Sequence, residues 1–423
     1  MRVSSSMVFD AGVASMQQQT SSLLHTQQQV ASGRRILTPA DDPVAAAQAL
    51  VVEQSSAINE RYQTSQKSAT EALGLTENAL SSAGDLISSA RTLVVQAGNP
   101  ALSNSDRKSI ATHLRQRFDE LLGLANSADG AGQYQFSGYM GATKPFSGSV
   151  ETTAAAEIAY AGDDGQRQQQ VSASRQIAVS ESGRDVFMRI RSGNGTFATA
   201  AAAANTGSGV IDSGAVLNPA NWAAGNVPAT GLKIVFAVAA GVTTYDIQDA
   251  ATSTSLLTAP QPYVAGQAIP LVKTTAPAAD YGSQVVIGGQ PANGDAFTVT
   301  PSGSQSLFKT LATVITALEA PQAAGANGNT PLANSLGSTL ANLDQANDNL
   351  LRVRASIGSS MSELDALGSA GSALGIQYQQ TLSRLQDVDY AAAISQLTQQ
   401  QTNLEAAQKS FLKVSGLSLF NFI

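Results

Sequence analysis

The chain has 423 residues and 43 % hydrophobic content, enough for a buried core and two or three domains. Only 13 % of residues are charged, the net charge is −7, and no Lys/Arg block stands out, which excludes a nucleic-acid footprint. There is no cysteine, so disulfides, thiol catalysis and Cys-ligated zinc are excluded too. No apolar run reaches the ~18 residues of a membrane span, and the opening MRVSSSMVFDAGVASMQQQ lacks the apolar stretch of a secretory signal. Such a chain, if it leaves the cell, needs an export route that spares its N-terminus.

The first predicted element is a helix with a heptad seam through Val13, Met16, Thr20, Leu23, Gln27 and Val30. Gly33 stops it, and RRILTPADDP reads as an extended link. Asp41 or Asp42 is placed to cap a second helix with Pro43 in its first turn. That helix carries Ala69, Leu73, Thr76, Leu80, Ala83, Ile87, Ala90 and Val94 on one face. A third helix, with Asp106 as its expected cap, shows Ile110, Leu114, Phe118, Leu121 and Ala125.

After Asp129–Gly132 the period changes. Tyr134 and Phe136 alternate with polar residues as in a strand. Strands are expected at Lys233–Val238, Thr243–Ile247, Val285–Ile287 and Phe297–Val299, with hairpin turns at Gly162–Gly165 and Ala240–Gly241. The Ala200–Ala204 tract reads as a loop or linker. Helical spacing resumes at Leu307 and continues through Leu336, Leu340, Leu343, Leu350, Ile357, Met361 and Leu364. A Gly/Ser/Ala stretch follows at Gly368–Gly375. The last helix places Tyr390, Leu397, Leu404 and Phe411 at heptad intervals, with Gln400, Ala407 and Val414 between them, and leads into the apolar LSLFNFI. The expected fold is α+β: long N- and C-terminal helices, paired in a coiled-coil-like bundle, with a central inserted mainly-β domain. The expected division is a terminal helical assembly domain (1–43 and 378–423), a helical bundle (44–133 and 307–377) and an outer β domain (134–306) of one or two lobes.

Candidate chemistry is sparse. His25 and His113 are the only histidines, with no HExxH, no G-x-S-x-G and no second ligand at metal spacing. Asp41-Asp42 and Asp387/Asp389 read as helix caps, Asp163-Asp164 as a turn, and Trp222 as a β-domain core residue. Arg34 and Arg35 read as solvated charge, or as an intersubunit salt bridge to Asp387 or Asp389. No catalytic, cofactor-binding or metal-ligating residue is assigned, and no cofactor is called for; the chain reads as structural and not as an enzyme. The terminal seams are thin, and one helix pair of this kind buries too little to offset its ordering. The ends are therefore expected to fold when neighbours cover them. The candidate packing contacts are Val13, Met16, Leu23, Val30, Tyr390, Leu397, Leu404, Phe411, Val414, Leu419 and Phe420.

Several segments carry a resemblance. MRVSSSM, ASGRRILTPADDPVAAA (Ala31–Ala47), GQYQFSGY (Gly132–Tyr139), ANLDQANDNLLRVRASIG (Ala341–Gly358) and LQDVDYAAAISQLTQQQTNLEAAQKSFLKVSGLSLFNFI (Leu385–Ile423) resemble, in order, the flagellin superfamily. Within it they are most similar to the branch of the third flagellar hook-associated protein, at the hook–filament junction. The resemblance implies coaxial terminal helices lining a tubular assembly, with the β domain outward. It implies a ring of like copies between the preceding hook-associated protein and flagellin. It also implies a cytoplasmic export chaperone, export through the flagellar apparatus and channel without a cleaved signal, and an extracellular place on the bacterial flagellum. Nucleic acid and membrane insertion are not called for. Two other readings stay open from the residues: a filament flagellin, and a secreted adhesin-like module carried by the β domain.

Overall fold

The computed structural model describes residues 5–150, 158–224, 227–321 and 329–416. Eight helices are described: α1 (Ser5–Ser32), α2 (Pro43–Ala97), α3 (Asn104–Ala125), α4 (Gly183–Phe187), α5 (Pro219–Ala224), α6 (Leu307–Glu319), α7 (Thr330–Gln386) and α8 (Tyr390–Gly416). Strands occupy the middle of the chain: β1 (Phe146–Ser147), β2 (Ala159–Tyr160), β3 (Gln168–Gln170), β4 (Gln176–Ala178), β5 (Ile190–Arg191), β6 (Phe197–Ala201), β7 (Val210–Ile211) and β8 (Ala215–Val216). They continue with β9 (Leu232–Ala239), β10 (Val242–Asp249), β11 (Gln261–Pro262), β12 (Ala268–Lys273), β13 (Ala279–Gly288), β14 (Ala296–Pro301) and β15 (Ser304–Gln305). The terminal helices thus flank a mostly-β centre, and the α+β expectation holds.

The chain divides into two units, Met1–Gln66 with Asp365–Ile423, and Lys67–Leu364. The division passes through α2 and α7, and the boundary expected near 378 also lies inside α7.

In the Lys67–Leu364 unit the helical faces are where their spacing placed them. Ala69, Leu73, Thr76, Leu80, Ala83, Ile87, Ala90 and Val94 are all buried, as are Ile110, Leu114, Phe118, Leu121 and Ala125. The 3.6-residue period aligns them into one stripe, which water leaves only against another helix. Asp106 lies one turn inside α3 and not at its cap. Ser103 is the N-cap, and the two residues form a reciprocal capping box. Ser306 caps α6, which opens at Leu307 as its spacing predicted. Phe308 reaches from α6 to Phe118, Phe146 and Phe187, with ring centroids 5.4–6.0 Å apart.

The β centre has two main antiparallel sheets, in the orders β11-β10-β9-β14-β6 and β12-β13-β7, with β8 also on β13. One core joins them, through Leu232, Ile234, Phe236, Phe297 and Val299 on one side and Ile269, Leu271, Val285 and Ile287 on the other. The Ala240-Gly241 turn is confirmed: both residues have positive φ (50° and 80°), which suits a two-residue hairpin. Trp222, expected in the core, is partly buried and packs against its edge on Phe197, at 4.9 Å between centroids.

Three expectations here are corrected. Tyr134 and Phe136 lie in a looped segment whose only ladder contact at Tyr134 is an isolated bridge to Ala128. Gly162–Gly165 joins strands that pair elsewhere (β2 with β1, β3 with β4), so it is no hairpin turn. Ala200 and Ala201 belong to β6 and pair with Thr298 and Phe297, because the ladder to β14 supplies what alanine propensity does not.

Candidate assembly surface

In the Met1–Gln66/Asp365–Ile423 unit, α1 and α8 run antiparallel. A Cβ on Gly12 would lie 2.9 Å from the Phe411 ring, and one on Gly33 3.0 Å from the Tyr390 hydroxyl. Positions summing to 423 therefore share a level. This register sets Met16 with Ala407, Gln19 with Leu404, Leu23 with Gln400, Thr26 with Leu397 and Val30 with Ala393. Gly33 also needs its φ of +72°, which ends α1. Phe9 packs on Phe411 at 5.1 Å.

The α8 seam is the one its heptads predict, with Leu397, Gln400, Leu404, Ala407 and Phe411 half-buried; buried Ala393 was missed. The α1 seam is corrected. Met16, Leu23 and Val30 belong to it, but Thr20 and Gln27 face solvent, and Gln19 and Thr26 take their places. Neighbouring residues on α1 offer two stripes with the same 3-4 spacing, so periodicity alone does not choose between them. Val13 is half-buried and Tyr390 exposed. The Val414 side chain, Leu419 and Phe420 lie outside the described residues. The seam is poor in apolar contact: the Oε1 atoms of Gln19 and Gln400 are enclosed without a hydrogen-bond partner.

The same unit pairs α2 with α7 through small and amide residues. Asn59 Nδ2 donates to the Gly371 carbonyl at 2.8 Å, and Gln63 covers Gly371 at 3.3 Å from an added Cβ. Ala45 and Ala49 are the buried apolar residues of α2 here. The large aliphatics point outward instead: Val44, Leu50, Val51, Leu374 and Ile376 are 44–68 % exposed. On α1 and α8, Met7, Leu24, Ile394 and Leu412 are also exposed. No described large aliphatic or aromatic side chain in this unit is buried. The hydrophobic effect favours covering such exposed aliphatic faces. Sequence spacing could not reveal this, because the inner positions of α2 and α7 carry the polar residues.

The links between helices lock together. Val388 N donates to the Gly33 carbonyl (3.0 Å), Arg35 N to that of Gln386 (2.6 Å), and Arg35 Nη2 to that of Leu385 (2.9 Å). Residues 33–42 form a turned connector and not the extended one expected. Asp41 accepts from Leu37 N, Thr38 N and the His25 ring, while Asp42 accepts from Ala45 N and caps α2. Arg35 pairs with Asp42 (3.2 Å), Asp387 accepts from Ser383, and Asp389 caps α8 through Ala391 N and Ala392 N. Within the chain, Arg35 thus makes no salt bridge to Asp387 or Asp389. His113 is exposed. Among the described residues no group of three acidic or histidine side chains could hold a metal, and no helix is long and apolar enough to cross a membrane.

The Thr38 N–H, helped by Leu37 N–H and His25, holds the Asp41 carboxyl below its usual range. The Ala45 N–H and Arg35 do the same for Asp42. A depressed pKa in the folded state means the contribution is full above the ordinary carboxylate pKa and fades as pH falls through the lower folded value. The connector is therefore expected to loosen below about pH 4. Hydrogen exchange of residues 34–46, corrected for intrinsic rate, should rise in acid, and Asp41→Asn with Asp42→Asn should remove that pH dependence. Unchanged protection at pH 2.5 would contradict the assignment.

The sequence matches the bacterial flagellin N-terminal helical region over residues 3–140 and the C-terminal helical region over 340–423. It is 28 % identical to flagellar hook-associated protein 3 of Escherichia coli across 99 % of both chains. The crystal structure of the flagellar junction protein FlgL from Legionella pneumophila is 30 % identical and superposes with a TM-score of 0.69, covering 80 % of this chain and 100 % of that one. That of Xanthomonas campestris FlgL is 29 % identical with a TM-score of 0.67, covering 78 % and 99 %. N- and C-terminal helical regions at the two ends of the sequence are thus shared with structural components of the flagellum, and this chain belongs to the flagellar hook-associated protein 3 (FlgL) family of flagellin-like proteins.

Proposed function

We propose that this chain forms the ring that joins the hook, through the preceding hook-associated protein, to the flagellin filament outside the cell. The observation that carries this is the inverted polarity of the α2/α7 pair in the Met1–Gln66/Asp365–Ile423 unit, which keeps amides and glycines inside and large aliphatics outside. Such a surface suits close packing against several copies and against two different neighbours. The low charge supports it, since few ions need desolvation on contact. The candidate contacts are the outward residues Leu24, Val44, Leu50, Leu374 and Ile376 together with the predicted seam positions. An unfolded, signal-free export and a cytoplasmic chaperone for the C-terminal region belong to the same proposal, since the ends carry exposed aliphatic side chains that neighbours would cover.

The test is deletion of the gene, with electron microscopy of the cells and assay of the medium for flagellin. Bare hooks with free flagellin are expected. Normal filaments would sink the proposal and favour an accessory flagellin or adhesin. Bare hooks with no flagellin released would identify the chain as the filament subunit.

A further inference from the structure

Two charged residues are buried among the described ones, Asp295 and Arg107, at 2 % and 4 % exposure. Asp295 is satisfied by its own chain, accepting from Thr206 N, Gly207 N and Ala292 N at 2.8–3.0 Å. Arg107 is not. It lies on the buried side of α3 with Ile110, Ala111 and Leu114. Its side-chain hydrogen bond is a long one, from Nη1 to Asn104 Oδ1 at 3.4 Å, and its Nε is enclosed without a partner. No described carboxylate pairs with it, whereas Arg115 on the same helix holds Glu319 at 2.6 Å and Arg354 holds Glu77 at 2.6 Å. A guanidinium cannot shed its charge on burial, and a buried charge without a counter-ion is costly.

We infer that Arg107 and the first turn of α3 form a site for a carboxylate, supplied on assembly by a neighbouring chain. Helical side chains lean toward the N-terminus, and the contact with Asn104 sets the guanidinium over that turn. The N–H groups of Asn104 and Ser105 have no partner there, and the helix dipole is positive. Asp106 is the one acid of the turn, and its Oδ2 is taken by Ser103 N and Oγ in the capping box. The planar guanidinium fork matches a carboxylate, and its single charge suits one better than a doubly charged phosphate. Each copy carries 31 Asp and Glu against 24 Lys and Arg, so copies of this chain have carboxylates to spare. The contact would give Arg107 the counter-ion that its own chain withholds. Only the source of the carboxylate rests on the junction reading; the site itself does not.

The test titrates full-length protein with sodium acetate, against sodium chloride at equal ionic strength. The Arg107 Nε–H resonance is followed by NMR and assigned by its absence in Arg107→Met. A saturable shift is expected, half complete at about 10–100 mM acetate, with none in chloride. No shift in acetate, or an equal one in chloride, would overturn the site. The isolated Arg107→Met variant, which has no counter-ion to orphan, should unfold at a urea concentration no lower than the native chain. A clearly lower midpoint would mean that the guanidinium is satisfied within its own chain, and would also overturn the site. In cells lacking the native gene, the same variant should give roughly tenfold fewer filament-bearing hooks. Acetate binding with normal filaments would overturn the neighbouring chain as source and leave a free solute carboxylate. Normal filaments on deletion of the gene would sink the junction reading and leave the titration result standing.

Discussion

Replacing Phe308 with alanine is expected to destabilise the Lys67–Leu364 unit by about 3–5 kcal/mol, the largest single-residue effect predicted for this chain. Phe308 is 1 % exposed and touches three other rings, from α3, from β1 and from α4. Phe136 and Phe187 extend the cluster at 5.3 Å. The loss has two parts, the transfer of a large apolar side chain and the cavity that remains. Collapse into that cavity is resisted, because the neighbouring rings are held by separate elements. Asn126, for instance, fixes Phe146 by accepting from its N–H and donating to its carbonyl (2.9 and 3.0 Å). Urea unfolding followed by far-UV circular dichroism, with hydrogen exchange on α3 and α6, measures the effect. A change under ~1 kcal/mol would mean the cluster contributes little to the fold.

Leu50→Glu combined with Leu374→Glu is expected to do the reverse. Both residues are exposed in the chain alone, at 66 % and 44 %. The folded monomer should therefore shift by no more than about 0.5 kcal/mol. In an assembly that covers them, each carboxylate would be buried without a partner, a penalty that disfavours the contact strongly. Cells lacking the native gene and expressing this variant are expected to show at least a tenfold drop in filament-bearing hooks, with flagellin in the medium. Normal filament number together with normal expression would remove these residues from the assembly surface. The contrast between the two variants separates what folds the chain from what joins it to others.

The helical stripes of the Lys67–Leu364 unit were legible because each is buried against its own chain. Apolar residues then recur at the helical period, and Leu73, Leu80, Ile87 and Val94 read directly as core. The β hairpin at Ala240-Gly241 was legible for a local reason too, since Gly241 supplies a positive φ between two runs of strand-forming residues. The capping of α3 was misplaced by three residues, because Ser103 and Asp106 both suit an N-terminus and only the chain's entry angle ranks them. Ala200–Ala201 was missed because alanine has little strand preference of its own, and its ladder with Phe297 and Thr298 is made by residues almost a hundred positions away.

By itself the sequence determined that this chain has helical ends around a β centre, lacks thiol chemistry, and belongs with flagellin-like proteins. The first two follow from local periods and composition and the third from the resemblance of particular segments, none of which needs knowledge of distant contacts. The tertiary structure alone decided which α1 stripe meets α8, because two stripes of equal spacing compete and only the fit of Gly12 to Phe411 and Gly33 to Tyr390 selects one. It also decided that Leu50, Val51, Leu374 and Ile376 face outward while Asn59 and Gln63 face inward. Hydrophobicity cannot report that choice, since the inner positions are set by close approach of α2 to the glycines of α7. The aliphatics left outside are those on which assembly is proposed to depend.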